Sequence, residues 1–257
     1  AFIVGDSPMR LTPDATSLQN WATNVNKAVE DNDNGLVTTN EYLGVFYPSG
    51  FTSDNFGNNV VVPASHMMLR TIALSDQVSF PWFAPAGTRR GGITNASSTG
   101  YINSEGEFVS TALNEGQRDT LYTNKVNPIT FITGAGLVNF GQKTRFAGTS
   151  SLDRINVARL VIFLRSQLNK LARPFVFEPN DKITRDEIKA QAESLLLELV
   201  GNRAIFDFLV VCDESNNTPT RIDRNELYLD IAIGPVKAVE FIYIPLRLKN
   251  TGEIAGL

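Results

Sequence analysis

Apolar positions along this chain fall into two alternating spacings, one suited to helices and one to strands. From Leu152 to Ala172 they recur at helical spacing and close into an unbroken run at Leu160–Leu164, which predicts a helix buried on more than one side. Thr184-Arg185-Asp186-Glu187 has the form of a capping box, and it predicts a second helix. Ile188, Ala192, Leu195, Leu196 and Leu199 form its inner face, with Gly201 as its stop. An earlier helix is predicted after Thr12-Pro13-Asp14, capped by Thr12. Its apolar face is Ala15, Leu18, Trp21, Ala22, Val25, Ala28 and Val29, and it stops in the turn-forming run Asp31–Gly35. Ala64–Asp76 is predicted helical as well.

Strands are predicted where apolar residues are continuous or alternate. Ala1–Gly5, Tyr42–Tyr47, Val60–Val62, Ile129–Ile132, Leu137–Phe140 and Ile205–Cys212 are of this kind. Pro48-Ser49-Gly50 reads as a turn and Thr52–Asn59 as a polar loop. Leu227, Leu229, Ile231 and Ile233 alternate with polar or small residues. Val239–Leu248 is predicted as the last strand, with Ile242, Ile244, Leu246 and Leu248 on one side and Pro245 favouring an edge. Residues 87–116 lack apolar periodicity, and a hairpin is predicted around Asn103–Gly106. The expected fold is a mixed α/β (α+β) core, a mixed sheet flanked by helices, with a smaller β-rich or loop-rich insertion. Residues 1–87 and 121–257 are expected to form the two halves of that core, and residues 88–120 the surface insertion.

Composition narrows the function more than the fold. The chain has 257 residues, 42% hydrophobic and 19% charged, with a net charge of −4, so it can bury a full core. Without a basic excess, nucleic acid is not expected as a partner. No apolar run approaches the roughly 20 residues of a membrane helix, and no membrane partner is expected. A single cysteine, Cys212, excludes an intrachain disulfide, and its place in the run Phe208–Cys212 predicts a buried thiol. The opening Ala1-Phe2-Ile3-Val4-Gly5 reads as a strand already under way, so a piece of a longer protein is expected.

Candidate reaction centres are few. Glu30–Glu41 approximates a calcium loop, with Asn32, Asn34, Gly35, Val37 and Glu41 at the corresponding places. It has only two carboxylates at ligand positions and is followed by a strand pattern, so it reads as a helix-terminating turn. Gly136–Thr144 falls short of a phosphate loop because Gln142 separates Gly141 from Lys143. The only histidine, His66, follows Ser65, and neighbours on a helix cannot face each other. Asp213 and Glu214 end a strand, a frequent place for active sites, yet Ser215-Asn216-Asn217 makes a turn there. No cofactor and no metal is expected.

Several short segments, taken in order, resemble the tail sheath proteins of contractile-tailed bacteriophages. Tyr42–Pro48 resembles the family's aliphatic-aromatic strand, and Val62–Met67 its Pro-Pro-Ser-Gly-His element. Val126-Asn127-Pro128-Ile129, Gly141–Thr144 and Ile155-Asn156-Val157-Ala158-Arg159-Leu160 follow. Val176-Phe177-Glu178-Pro179-Asn180, Val211–Glu214 and Ile233–Phe241 complete the series. Ala64 departs from the family's proline and Phe140 from its tryptophan, departures that suit a divergent lineage such as that of the giant phages.

The resemblance implies a structural subunit and no enzyme. It implies stacking in six-membered rings around an inner tail tube, attachment to a baseplate, terminal strands exchanged between copies, and contraction that drives the tube through the host envelope. It implies a place in the virion after synthesis in the bacterial cytoplasm. Assembly contacts are expected at Phe2, Ile3 and Val4 and at Phe241, Ile242, Tyr243, Ile244, Leu246 and Leu248. Asn127, Pro128, Ile155, Asn156 and Val157 are expected in the core, together with Glu178, Pro179, Asp213, Glu214, Pro235, Glu240 and Phe241. Without arms beyond its ends the chain is expected to be a monomer. Related sheaths, of a type VI secretion system or a pyocin-like particle, share these implications. A hydrolase or nucleotide-dependent enzyme using His66, Asp213 or Glu214 is the remaining alternative.

Overall fold

A computed structural model describes residues 1–23 and 39–244. The calcium-like stretch up to residue 38, the predicted helix beyond Thr23, and Leu246 and Leu248 lie outside the described residues. The first sheet runs β1(Ile3–Asp6), β2(Leu43–Tyr47), β7(Val126–Ile132), β8(Gly136–Asn139) in spatial order, the first three strands parallel and the last antiparallel. The second is antiparallel, in the order β4(Asn59–Val62), β3(Ser49–Ser53), β5(Ser98–Ile102), β6(Phe108–Ser110). A two-stranded antiparallel ribbon, β9(Ile205–Val211) with β10(Asp230–Pro235), completes the set. The composition is the mixed α/β one expected from the sequence.

Helices cover these sheets in separate clusters, and a short α3(Gly87–Arg90) lies against β8. α1(Ala15–Ala22) and α4(Glu115–Thr123) close one core around Leu18, Trp21, Val45, Tyr47 and Leu121. α2(Ala64–Val78) packs Met67 and Met68 against Phe46, Ile129 and Ile155. α5(Ile155–Ala172) and α6(Lys182–Gly201) meet β9 through Leu160, Leu164, Leu196, Leu199 and Val210. α5 therefore enters two cores: Ile155 in its first turn serves one, and Leu160 onward the other. Its dense apolar run is thereby explained.

Five expectations are corrected here. Asp14, not Thr12, caps α1: its carboxylate accepts from Ser17 N, and the Thr12 hydroxyl donates to it. With these bonds, led by the one from Thr12, its pKa falls to about 2. Likewise α6 begins at Lys182 because Asp181 accepts from Thr184 N at 2.9 Å, so the capping residue lies three before the threonine read as the cap. The left-handed turn after α6 is made by Arg203, φ 61°, and Gly201 stays helical.

The other two concern strands. Ser49–Ser53 is a strand where a turn was expected, and its smallness is what lets it sit there. A Cβ at Gly50 would lie 2.5 Å from Met67 Sδ, so α2 seats on this strand only through a glycine. The last predicted strand is absent from Val239 to Ile244, which have no ladder partner and are mostly exposed.

Candidate assembly surface and the cleft beside it

After β10 the chain leaves the core as a strap rooted by polar contacts. Val236 N donates to Ala204 O at 3.0 Å, and Asn156 Nδ2 donates to Val236 O at 3.4 Å. Four residues on, Glu240 accepts from Arg154 through both oxygens, Nε–Oε1 at 2.5 Å and Nη2–Oε2 at 3.1 Å. Gln142 Nε2 adds a third donor at 3.1 Å. Burial alone would lower the Arg154 pKa, but the bonds and charge of Glu240 outweigh it and raise the guanidinium above its ordinary value. Beyond this root Phe241, Ile242, Tyr243 and Ile244 stand in solvent, Ile244 at 82% exposure. Four exposed large apolar residues in a row form a patch of the kind that marks a contact surface.

At the other end of the chain the three suggested contact residues divide. Ile3 faces solvent, whereas Phe2 and Val4 pack onto the cluster of Phe46, Met67 and Ile155. The ribbon offers further open surface. β9 pairs only with β10 among the described residues, and Phe206 and Leu209 are exposed on it. The strand predicted from this apolar run is thus uncovered over part of its length.

Between the strap and the body lies a cleft of about 690 Å³. Trp82, Phe83, Phe140 and Phe241 contribute to its walls, and Arg89, Arg90, Arg118, Arg203 and Lys237 line it as well. The carboxylates facing these cations are Glu115, Asp119 and Glu240, and Glu240 is already paired with Arg154. Arg90 lies over the Phe83 ring at 4.7 Å and Arg118 over Phe140 at 5.5 Å. Burial, then the like charges of Arg89 and Arg203, draw the Arg90 pKa down, as expected of crowded cations. Three buried polar atoms on the lining have no hydrogen-bond partner among the described residues: Arg118 Nε, Gln142 Oε1 and Asn156 Oδ1.

Known proteins place this geometry. Residues 148–249 match the phage tail sheath C-terminal domain. The tail sheath protein of Vibrio phage KVP40 is 34% identical over 248 residues, 93% of this chain and 35% of that protein. The chain belongs to the phage tail sheath family. The tail sheath protein of Enterobacteria phage T4 is 31% identical over 249 residues, 94% of this sheath chain and 35% of its relative. The sheath chain thus spans about a third of the length of these relatives. In fold it is similar to the helical sheath of the anti-feeding prophage in its contracted state, at a TM-score of 0.72 and 19% identity over 96% of this chain and 70% of that one.

The residues singled out from the sheath resemblance separate by burial. Asn127, Pro128, Ile155, Asn156 and Val157 are buried, Pro235 is partly buried, and Glu240 is held at the strap root. Glu178, Pro179, Asp213, Glu214 and Phe241 are exposed and do not belong to the core. Glu178 and Pro179 ride the exposed connection between α5 and α6. Asp213 accepts from Ser215 N and Oγ, which makes it a turn residue. The structural polar residues there are the next two. Asn216 Nδ2 donates to Val211 O, and Asn217 exchanges bonds with the backbone of Tyr228, tying both ends of the β9–β10 connection. Their only sequence signal was the turn composition already noted.

Candidate catalytic residues do not converge in the sheath fold. His66 is exposed on the first turn of α2, while Ser65 gives both its N–H and its hydroxyl to Asp6 at 2.6 and 2.8 Å. Cys212 is buried and burial raises its pKa. Among the described residues no group of three or more His, Cys, Asp or Glu could hold a metal ion, and no helix is long and apolar enough to cross a membrane. Asn156→Ala removes the donor to Val236 O together with the unpartnered Oδ1. A loss of about 1 kcal/mol is expected from urea denaturation. An unchanged midpoint would show that the bond does not hold the strap root.

Proposed function

We propose that this sheath chain is the part of a contractile phage tail sheath subunit that carries the exchange of strands between copies. The observation that carries the reading is the exposed apolar run Phe241–Ile244, fixed at its root by Arg154 and Glu240 and free beyond it. An extended apolar segment adds to an open sheet edge through backbone bonds, with alternate side chains giving specificity. The edges of the β9–β10 ribbon, unpaired among the described residues and with Phe206 and Leu209 beside them, are receptors of that kind. Copies joined this way stack as six-membered rings around an inner tube above a baseplate, within the virion. Contraction is then re-docking of bodies whose cores stay intact, and the role is mechanical, without substrate or cofactor.

Electron microscopy of the full-length polypeptide tests the reading. Hollow tubes are expected. The double substitution Ile242→Asp with Ile244→Asp should abolish them and leave the melting temperature of the dispersed protein nearly unchanged, because exposed positions shift stability by no more than about 0.5 kcal/mol. Tubes that persist in that variant would remove the strap from the assembly.

A further inference from the structure

We infer that the cleft beneath the strap is a socket for the Val176-Phe177-Glu178 knob of a second copy of this chain. The inference rests on the proposed assembly of copies, and adds to it a contact that is not strand exchange.

The knob has two features that the isolated chain does not use. Phe177 is 102% exposed and holds φ at 76°, a left-handed backbone that bulky L-residues rarely adopt. Backbone bonds from Val176 N to Arg173 O and from Glu178 N to Phe175 O help set that shape. Pro174 and Pro179 flank it and restrict the chain further. An aromatic ring projected in this way buries nothing in its own subunit. It is instead presented in advance of binding, which lowers the ordering cost on docking. Val176, also exposed, widens the apolar tip, and Glu178 sets a carboxylate beside it.

The socket has the complementary chemistry. Its volume lies within the range of roughly 300 to 1,000 Å³ typical of built pockets. Aromatic walls suit the Phe177 ring, and the arginines crowded around Arg90 outnumber the free carboxylates, which suits Glu178. Gln142 and Asn156, 4% and 5% exposed, also line the site, with Oε1 and Oδ1 buried beneath its surface and unpartnered among the described residues. Knob and socket are different surfaces of one chain, so the contact is able to pass from copy to copy as well as to close reciprocally on a pair.

Disulfide trapping tests this between two singly substituted proteins, Val176→Cys and Ala238→Cys, both at exposed positions. The native Cys212 is buried and does not compete. Mixing under mild oxidation should give a covalent dimer, and adding Arg90→Glu with Arg203→Glu to the socket partner should cut its yield about tenfold. A yield no higher than with a Ser194→Cys control on α6 would overturn the inference. Phe177→Gly in the full-length chain should leave the melting temperature no lower while removing tubes. Tubes without the cross-link sink this contact and leave strand exchange standing. A cross-link without tubes supports the contact and counts against the sheath role.

Discussion

Asn127→Ala is expected to destabilise the protein by about 4 kcal/mol, the largest effect of any single polar substitution proposed for it. Asn127 is fully buried on β7, in the parallel part of the first sheet. Its Nδ2 donates to Val45 O on the neighbouring strand at 3.0 Å and to Lys143 O at 2.8 Å, and its Oδ1 accepts from Lys143 N at 2.7 Å. One planar amide thus pins β2, β7 and the chain after β8 together. Alanine would leave Lys143 O and Lys143 N without the amide, each costing about 1–3 kcal/mol when buried, while Val45 O keeps the ladder bond from the backbone N–H of residue 127. Water is kept out by close packing: a Cβ on Gly141 would lie 2.8 Å from Asn127 Oδ1 and 3.0 Å from its Cα. Asn127→Asp should not rescue the loss, because a carboxylate cannot donate to either carbonyl and would bring a buried charge. Guanidinium unfolding measures the effect. A loss below about 1 kcal/mol would mean that neighbouring groups replace the amide.

Arg154→Met is expected to cost about 2–3 kcal/mol and to release the strap. The side chain joins the start of α5 to Glu240, 86 residues away, through two bonds to one carboxylate. Methionine keeps much of the length and removes the charge, which leaves Gln142 Nε2 as the remaining donor of these three bonds to Glu240. The loss combines the pair itself with the cost of a partly buried, poorly compensated carboxylate. Arg154→Lys should be intermediate, since an ammonium keeps the charge and cannot reproduce the forked geometry. Hydrogen exchange through residues 236–241 should accelerate in both variants, more in methionine. Full-length protein carrying Arg154→Met should form fewer tubes, because the apolar run beyond Glu240 no longer leaves the body in a fixed direction. Exchange rates equal to wild type would place the anchor elsewhere.

Helical and strand spacing were legible wherever the signal was local. The apolar run at Leu160–Leu164, the inner face from Ile188 to Leu199 and the alternation from Leu229 to Ile233 each became the expected element. The hairpin near Asn103–Gly106 formed as Ile102 pairing with Phe108. Helix starts were placed less well: Thr12 and Thr184 are good caps by type, yet Asp14 and Asp181 took the role. A strand built from Ser49 and Gly50 carries no apolar signal. Its burial comes from smallness, which becomes visible only when Met67 is seen against it.

The sequence alone determined most of the helical and extended stretches, though not the strand Ser49–Ser53 or the helix Glu115–Thr123, that they form a mixed α/β core, and that ordered motifs place the chain with tail sheaths. Those properties depend on side-chain periodicity over a few residues and on short motifs. Only the tertiary structure decided the division into two sheets and a ribbon, the exposure of Phe177 and of Phe241–Ile244, and the roles of Asn127, Arg154 and Gln142. These depend on atoms brought together across separations of 82 residues for Asn127 with Val45 and 98 for Gln142 with Glu240. A buried polar group is satisfied or left unpaired by whatever the fold sets beside it, and no spacing along the chain encodes that neighbour.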